Sequence, residues 1–351
     1  IKPDFANAYL NLGVILDDLG KLKEAEKLYR KAIEIKPDFA EAYCNLGNLL
    51  KSFGNLTEAE KLYKKTIELE PSHVMAYFYL STLQYSEESQ IWQNQLLSKN
   101  FINNKSAKEK VYIYFARGNI LHRESKYKDS SKYFRLANNL KLSLNPSNCE
   151  YLLKQSKTLL IDSGKEVNKK IMKDFPESIF IVGMPRSGST LIESILGMNI
   201  NVNELGEINI LEESYLLQKK GSQKYTIADL YLKRANIDSK KRTTVNKWLY
   251  NYQYTGIISK HIPNAKIIHS FRNPLDNILS IYRANFAQGN HYSSSLIDCA
   301  KVYLDQEAMM AEYKKRFGAQ IYSLNYDLLV RNPNQEIKSL ISWLGWIWED
   351  I

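Results

Sequence analysis

Two kinds of apolar pattern divide the chain. Early on, apolar positions recur every three or four residues, as Leu12, Leu16, Leu28 and Ile33 do, which lines one face of a helix. Later, short apolar segments appear instead. Ile179–Val182 is unbroken and rich in β-branched residues, and Ile267–Phe271 is a second segment of strand length. Each predicts a buried parallel strand with a helix after it. One helix is expected over Thr190–Met198. The other opens at Asn273 and Pro274, a good N-cap followed by a good first helical residue. A further helix is expected over 149–174, ending near Gly164 or Pro176. The pattern therefore predicts a helical region followed by an α/β region.

The helical region repeats. Residues 3–36 align without a gap on 37–70, with 21 of 34 positions identical. Pro3, Pro37 and Pro71 keep the same period, and Gly13/Gly47, Gly20/Gly54, Ala25/Ala59 and Tyr29/Tyr63 keep the same phase. Small residues fit where the two helices of a unit cross closely. Gly20 and Gly54 let the chain turn between helices, and each proline ends the preceding helix. A period of 34 with this pattern resembles the tetratricopeptide repeat. The resemblance implies an α-solenoid with units near 3–36, 37–70 and 71–104 and a divergent unit over 107–141, where Gly118 takes the small-residue slot. It also implies a concave surface able to hold a peptide or protein.

Composition narrows the function. The 351 residues carry 48 Lys+Arg and 38 Asp+Glu, a net charge of +10, with 44% apolar and 25% charged residues. That composition fits a folded chain. Residues 1–100 are net −2, so the positive excess lies further along and suits an anionic small molecule. No dense basic tract with interleaved aromatics appears, so nucleic acid is not an expected partner. Three scattered cysteines make no disulfide framework, and the expected compartment is reducing and cytoplasmic. Five scattered histidines and no zinc spacing predict no metal. No apolar run is long enough to span a membrane. The chain opens mid-pattern at Ile1 without Met, the expectation for a fragment of a longer protein.

The chemistry concentrates after residue 178. Gly183-x-x-x-x-Gly188 follows the first strand and opens a helix, the arrangement whose backbone N–H groups cradle an anion. The spacing matches the start of a nucleoside-triphosphate loop, but Ser189 stands where the phosphate-gripping lysine belongs. This argues against an ATPase, a GTPase or a P-loop kinase. Arg186 supplies a cation within the loop, and Ser187, Ser189 and Thr190 supply hydroxyls.

Pro185-Arg-Ser-Gly-Ser-Thr-Leu191 resembles the 5′-phosphosulfate loop of sulfotransferases that use 3′-phosphoadenosine 5′-phosphosulfate (PAPS). The variant is typical of the branch with protein-tyrosine sulfotransferases and bacterial tetratricopeptide-repeat sulfotransferases. The resemblance implies that Arg186, Ser187, Gly188, Ser189 and Thr190 hold the phosphosulfate. Arg272, with Ser280 eight residues later, resembles the family's 3′-phosphate motif, and Arg283 is a further contact it implies. Glu207 lies 16 residues after Leu191, the position of the catalytic base in tyrosylprotein sulfotransferases, with Glu204 as its rival. Partial burial of that carboxylate would favour the role. Lys247, 25 residues before Arg272, matches a lysine that would neutralise the leaving group. Tyr326 falls in a segment similar to V-x-Y-E-x-L-V-x-x-P and is expected near the nucleotide.

The expected architecture is thus α + α/β: a repeat array over 1–142, a connecting helix within 143–177, and a P-loop-like sulfotransferase domain with a parallel sheet over 178–351. The family normally continues past the Trp343–Asp350 stretch into a segment that closes over the donor, so the domain is expected to be C-terminally truncated. The expected reaction is sulfuryl transfer from PAPS to an acceptor hydroxyl. The family branch points to a protein tyrosine, presented by the repeat groove, and a carbohydrate or lipid hydroxyl is equally compatible with the motifs. The rival reading is a non-catalytic interaction module with a vestigial nucleotide-binding domain.

Overall fold

A computed structural model of the chain describes residues 5–83, 90–165, 175–221, 225–235, 242–286 and 290–347. It divides into two compact units between Pro146 and Ser147. The helix expected as a connector, within 143–177, is observed over Cys149–Asp162 and belongs to the second unit. It ends one residue before Ser163-Gly164, and residues 166–174 lie outside the described residues.

The first unit contains α1 (Ala6–Asp18), α2 (Leu22–Ile35), α3 (Ala40–Ser52), α4 (Leu56–Leu69), α5 (Val74–Thr82), α6 (Gln90–Leu97), α7 (Ala107–Arg123) and α8 (Tyr127–Leu144). One packing device recurs in three of the four repeats. Gly13 faces the Tyr29 ring, Gly47 the Tyr63 ring and Gly118 the Phe134 ring. A Cβ on these glycines would stand 2.6, 2.8 and 2.8 Å from a ring carbon. The rings are buried and cannot retreat. The turn between the helices needs a left-handed residue. Gly20 (φ 73°) and Gly54 (φ 79°) provide it, and Ser125 (φ 58°) takes the same slot in the fourth unit without glycine's freedom. The third unit departs most: Ser81 replaces the crossing glycine, and residues 84–89 lie outside the described residues. There the buried Arg117 of α7 donates to the carbonyls of Leu96 (2.9 Å) and Ser98 (2.8 Å), so its charge is not left unsatisfied.

The second unit begins with α9 (Cys149–Asp162) and centres on five strands. These are β1 (Glu177–Gly183), β2 (Val202–Gly206), β3 (Thr243–Asn246), β4 (Ala265–Phe271) and β5 (Ile321–Asn325). All pair in parallel, in the order β2-β3-β1-β4-β5. The helices are α10 (Ser189–Gly197), α11 (Ile210–Lys219), α12 (Ile227–Ala235), α13 (Thr255–His261), α14 (Pro274–Arg283), α15 (Leu296–Phe317), α16 (Tyr326–Arg331) and α17 (Pro333–Leu344). Alternate residues of β1 enter opposite cores. Ile179 and Ile181 pack with α10 and α17, whereas Phe180 and Val182 pack with α11, α12, α13 and α15. Both faces are therefore covered, as a parallel sheet requires, and the unbroken apolar run in β1 follows from that. β1 lies between β3 and β4, so the chain leaves it toward one edge and later returns to the other. In open α/β sheets such a switch point is where the carboxyl ends of the strands form a crevice. No described helix is long and apolar enough to cross a membrane.

Gly47→Ala tests the repeat packing. Alanine is favoured over glycine in a helix by about 1 kcal/mol, while overpacking a buried site costs about 1–3 kcal/mol. The ring contact is expected to win, with a net loss of about 1 kcal/mol in denaturant titration. Unchanged or increased stability would contradict the packing described.

Candidate active site

Parallel pairing of β1 with β4 sets the site. Val182 lies opposite His269 and Gly183 opposite Ser270, so the turns after the two strands emerge side by side. Gly183 (φ 144°) touches that neighbour closely, since a Cβ there would stand 2.2 Å from the Ser270 carbonyl oxygen. The loop then bends through two left-handed residues, Arg186 (φ 68°) and Gly188 (φ 86°), before α10 begins at Ser189. For arginine that conformation costs about 1–2 kcal/mol. Three hydrogen bonds hold the turn in place. Asn277 Nδ2 donates to the Pro185 carbonyl (3.0 Å), Ser270 Oγ donates to the Ser187 carbonyl (2.6 Å), and Arg186 Nε donates to Ser280 Oγ (3.2 Å). Strain held this firmly is characteristic of a functional turn.

Inside the turn, the Ser187 hydroxyl is buried, has no hydrogen-bond partner, and lies 3.5 Å from where a Cβ on Gly183 would sit. A buried hydroxyl without a partner is costly, so its place inside an N–H-lined loop fits an anion that would complete it. Tyr326, the first residue of α16, closes the far side. Its ring fills the space over Gly188, where a Cβ would come within 2.0 Å, and it carries the Arg272 guanidinium 5.4 Å from the ring centroid. Arg272 meets Asp276 (3.8 Å) and Asp327 (3.9 Å) only beyond hydrogen-bonding distance. Asp327 accepts the Asn273 amide at 2.8 Å, while Asn273 Oδ1 accepts the amides of Leu275 and Asp276 and so caps α14.

The third group is a buried ammonium among carboxylates. Lys247 follows β3, and its backbone N–H donates to the Gly206 carbonyl (3.0 Å). Its Nζ lies 3.0 Å from Glu193 Oε2 and 3.1 Å from Glu207 Oε1, and donates to Thr190 Oγ1 at 3.2 Å. Burial opposes the charge, but Glu193, and after it Glu207, outweighs burial and raises the lysine pKa above its ordinary value. Burial raises the Glu193 pKa too, against the pull of Lys247. A register shift between Glu204 and Gly206 marks a bulge at the end of β2, a device that re-aims the side chains beyond it. Glu204 packs against Gly197 of α10, while Glu207 lines the cavity.

These groups share one cavity of about 760 Å³. Of the residues singled out in the sequence, Arg186, Gly188, Ser189, Thr190, Glu207, Lys247, Arg272, Ser280 and Tyr326 line it. Ser187 lies within the loop wall. Arg283 is not among the described lining residues. It sits at the end of α14, where burial, and then the Arg186 charge, holds its pKa below the ordinary arginine value. The partial burial considered for Glu207 is not found, because its side chain is 63% exposed. Sequence reasoning missed Glu193, although it lies three residues after Thr190 on the helix that opens the loop. It also missed Ser270, Asn277 and Asp327, whose work depends on strand register. The wall formed by Tyr151, Gln155, Glu212, Trp248, Tyr250 and Phe286 comes from four separate segments and has no local motif. Among the described residues, no group of three His, Cys, Asp or Glu side chains could hold a metal ion.

Residues 176–350 match the model described as "Sulfotransferase family", and residues 15–54 and 40–73 match "TPR repeat" and "Tetratricopeptide repeat". A relative from Aquifex aeolicus (strain VF5), described as "Uncharacterized protein", is 31% identical over 264 residues, which is 66% of this chain and 35% of the relative. The chain thus covers about a third of that relative. Among solved structures, a sulfotransferase domain from the curacin biosynthetic pathway gives a TM-score of 0.38 at 18% identity, covering 50% of this chain and 76% of that one. A sulfotransferase from Alicyclobacillus acidocaldarius gives 0.36 at 16%, covering 50% and 83%. YrrB, a tetratricopeptide-repeat protein, gives 0.32 at 17%, covering 47% and 81%. Likeness at these TM-scores carries no functional weight.

Gly188→Ala is expected to cost about 3 kcal/mol in denaturant titration, because it adds a left-handed alanine to a clash with a packed ring. Gly345→Ala, also left-handed (φ 71°) but with nothing within 4 Å of the added Cβ, serves as control. It is expected to cost about 1 kcal/mol. Equal losses would mean that Tyr326 does not pack on the loop.

Proposed function

We propose that this chain, which belongs to the sulfotransferase family over residues 176–350 and carries tetratricopeptide repeats before them, moves a sulfuryl group from PAPS to a protein tyrosine hydroxyl. The supporting observation is that the glycine-bounded loop, the Arg272/Ser280 pair and the Lys247/Glu207 pair line one cavity. PAPS has a phosphosulfate at one end and a 3′-phosphate at the other. Ser187, Ser189 and Thr190, with the first amides of α10 and the Arg186 charge, suit the first. The Arg272 guanidinium and Ser280 hydroxyl suit the second, since an arginine fork matches phosphate bidentately and lysine does not. Arg283 adds charge behind Arg186. Tyr326, in contact with Gly188 and under the Arg272 guanidinium, suits contact with the nucleoside.

In this reading the acceptor oxygen forms a bond to sulfur while the bond from sulfur to the bridging phosphate oxygen breaks. The acceptor proton passes to the Glu207 carboxylate, and the bridging oxygen keeps the electron pair. Lys247, kept protonated by its carboxylate neighbours, faces that growing charge and stabilises it electrostatically. Glu207 is exposed enough to leave Lys247 and turn to the acceptor, and its position beside Lys247 is what recommends it as the base. Tyr151, Trp248, Tyr250 and Phe286 line the same cavity and give a flat phenol ring a surface on which to pack. A tetratricopeptide-repeat region has the capacity to hold a protein partner, and delivery of the acceptor peptide is the role proposed for it.

The test is incubation of the full protein with sulfur-labelled PAPS and cell extract. Label on protein tyrosine is expected. Glu207→Ala should lower transfer by about 10²–10⁴-fold while donor affinity changes little. Wild-type turnover in Glu207→Ala would remove the base assignment. Label on glycan would overturn the tyrosine acceptor, and nucleotide binding without any transfer would leave a non-catalytic interaction module.

A further inference from the structure

Glu193 stands where no described motif assigns it a role. It is a carboxylate only 8% exposed on the inner face of α10, one turn beyond the loop. Its Oε2 lies 3.0 Å from Lys247 Nζ, and its Oε1 is buried without a hydrogen-bond partner. A charge buried in this way is stabilising only through its ion partner, and an apolar residue in its place would leave the buried ammonium short of a counter-charge. Lys247 is equally constrained. Its side chain is 7% exposed and its Nζ has three partners, Glu193, Glu207 and Thr190. Two of these belong to the reaction itself, since Thr190 is proposed to bind the donor and Glu207 to take the acceptor proton. Among the described residues, Glu193 alone is left to hold the ammonium throughout.

We propose that Glu193 is the positioning residue for Lys247, holding the ammonium protonated and aimed at the donor while Glu207 leaves it for the acceptor. This rests on the sulfotransferase reading above and goes beyond it by dividing the two carboxylates: the exposed one exchanges partners, and the buried one does not. Three carboxylates bear on the pair, Glu193 from α10, Glu204 from β2 and Glu207 from the segment after β2. Of these, Glu193 is the largest influence sustaining the lysine charge against burial. Without it, burial dominates and the ammonium loses its proton at lower pH. The activity limb that depends on protonated Lys247 must then move toward neutral pH, while a merely structural loss would lower the rate equally at every pH.

The experiment compares Glu193→Gln and Glu193→Asp with wild type in sulfuryl transfer across the pH range. Glu193→Gln is expected to move the alkaline limb down by at least about one pH unit. It should also lower kcat by about 100-fold, with KM for PAPS changed little. Glu193→Asp is expected to restore the limb toward wild type. A Glu193→Gln profile with an unmoved limb overturns the proposal, as does an equal, pH-independent loss in both variants. A second measurement needs neither activity nor a variant at Glu193. In ammonium NMR of 15N-lysine protein, the Lys247 signal, assigned by its loss in Lys247→Met, should titrate above the ordinary lysine value of about 10.4. A midpoint at or below that value overturns the proposal. If wild type transfers no sulfate, the functional reading fails, and the same titration repeated in Glu193→Gln and Glu207→Gln still decides which carboxylate holds the charge: a midpoint that falls more in Glu193→Gln supports the proposal, and one that falls more in Glu207→Gln overturns it.

Discussion

The site depends on one backbone constraint, the parallel pairing of β1 with β4. With Gly183 opposite Ser270, the loop after one strand and the arginine turn after the other leave the sheet together. Ser270 then reaches the Ser187 carbonyl, Asn277 reaches the Pro185 carbonyl, and Ser280 reaches Arg186. A one-residue slip would turn every side chain of β4 to the other face. The anion loop would lose its support and Arg272 its stack on Tyr326. Register is therefore also what fixes the chemistry, because the site residues of β4 and of the turn after it face the loop in this pairing alone.

Charge is distributed by depth. Arg186 is exposed and Arg272 half-buried, and Arg272 keeps its acidic neighbours beyond hydrogen-bonding distance. Lys247 lies deep and is surrounded by acceptors. These two cations have a place for an incoming anion to meet, whereas Lys247 retains its proton because carboxylates accompany it. The bulge at the end of β2 separates the roles of Glu204 and Glu207, which are three residues apart in sequence.

Much of this was legible in the chain. The 34-residue period announced the repeats, and even the divergent fourth unit kept its crossing glycine, Gly118. Gly183, Gly188 and Arg272 were legible because backbone geometry and anion binding demand particular residue types at fixed spacing. What escaped notice depends on register and three-dimensional packing. Ser270 and Asn277 look like ordinary strand and helix residues until β1 and β4 are paired. Glu193 reads as one more helical glutamate until Lys247, more than fifty residues later, arrives beside it. The third repeat was hard to follow because Ser81 replaces the glycine that marks the pattern elsewhere.

The central claim is that one cavity recognises a nucleotide through two separate anionic ends. Calorimetric titration of the full protein with adenosine 3′,5′-bisphosphate and with adenosine 5′-monophosphate tests it most directly. The account predicts that the bisphosphate binds at least about tenfold more tightly, a difference of about 1.4 kcal/mol, and that Arg272→Ala removes this preference. Equal affinities for the two nucleotides, or a preference that survives Arg272→Ala, would contradict it.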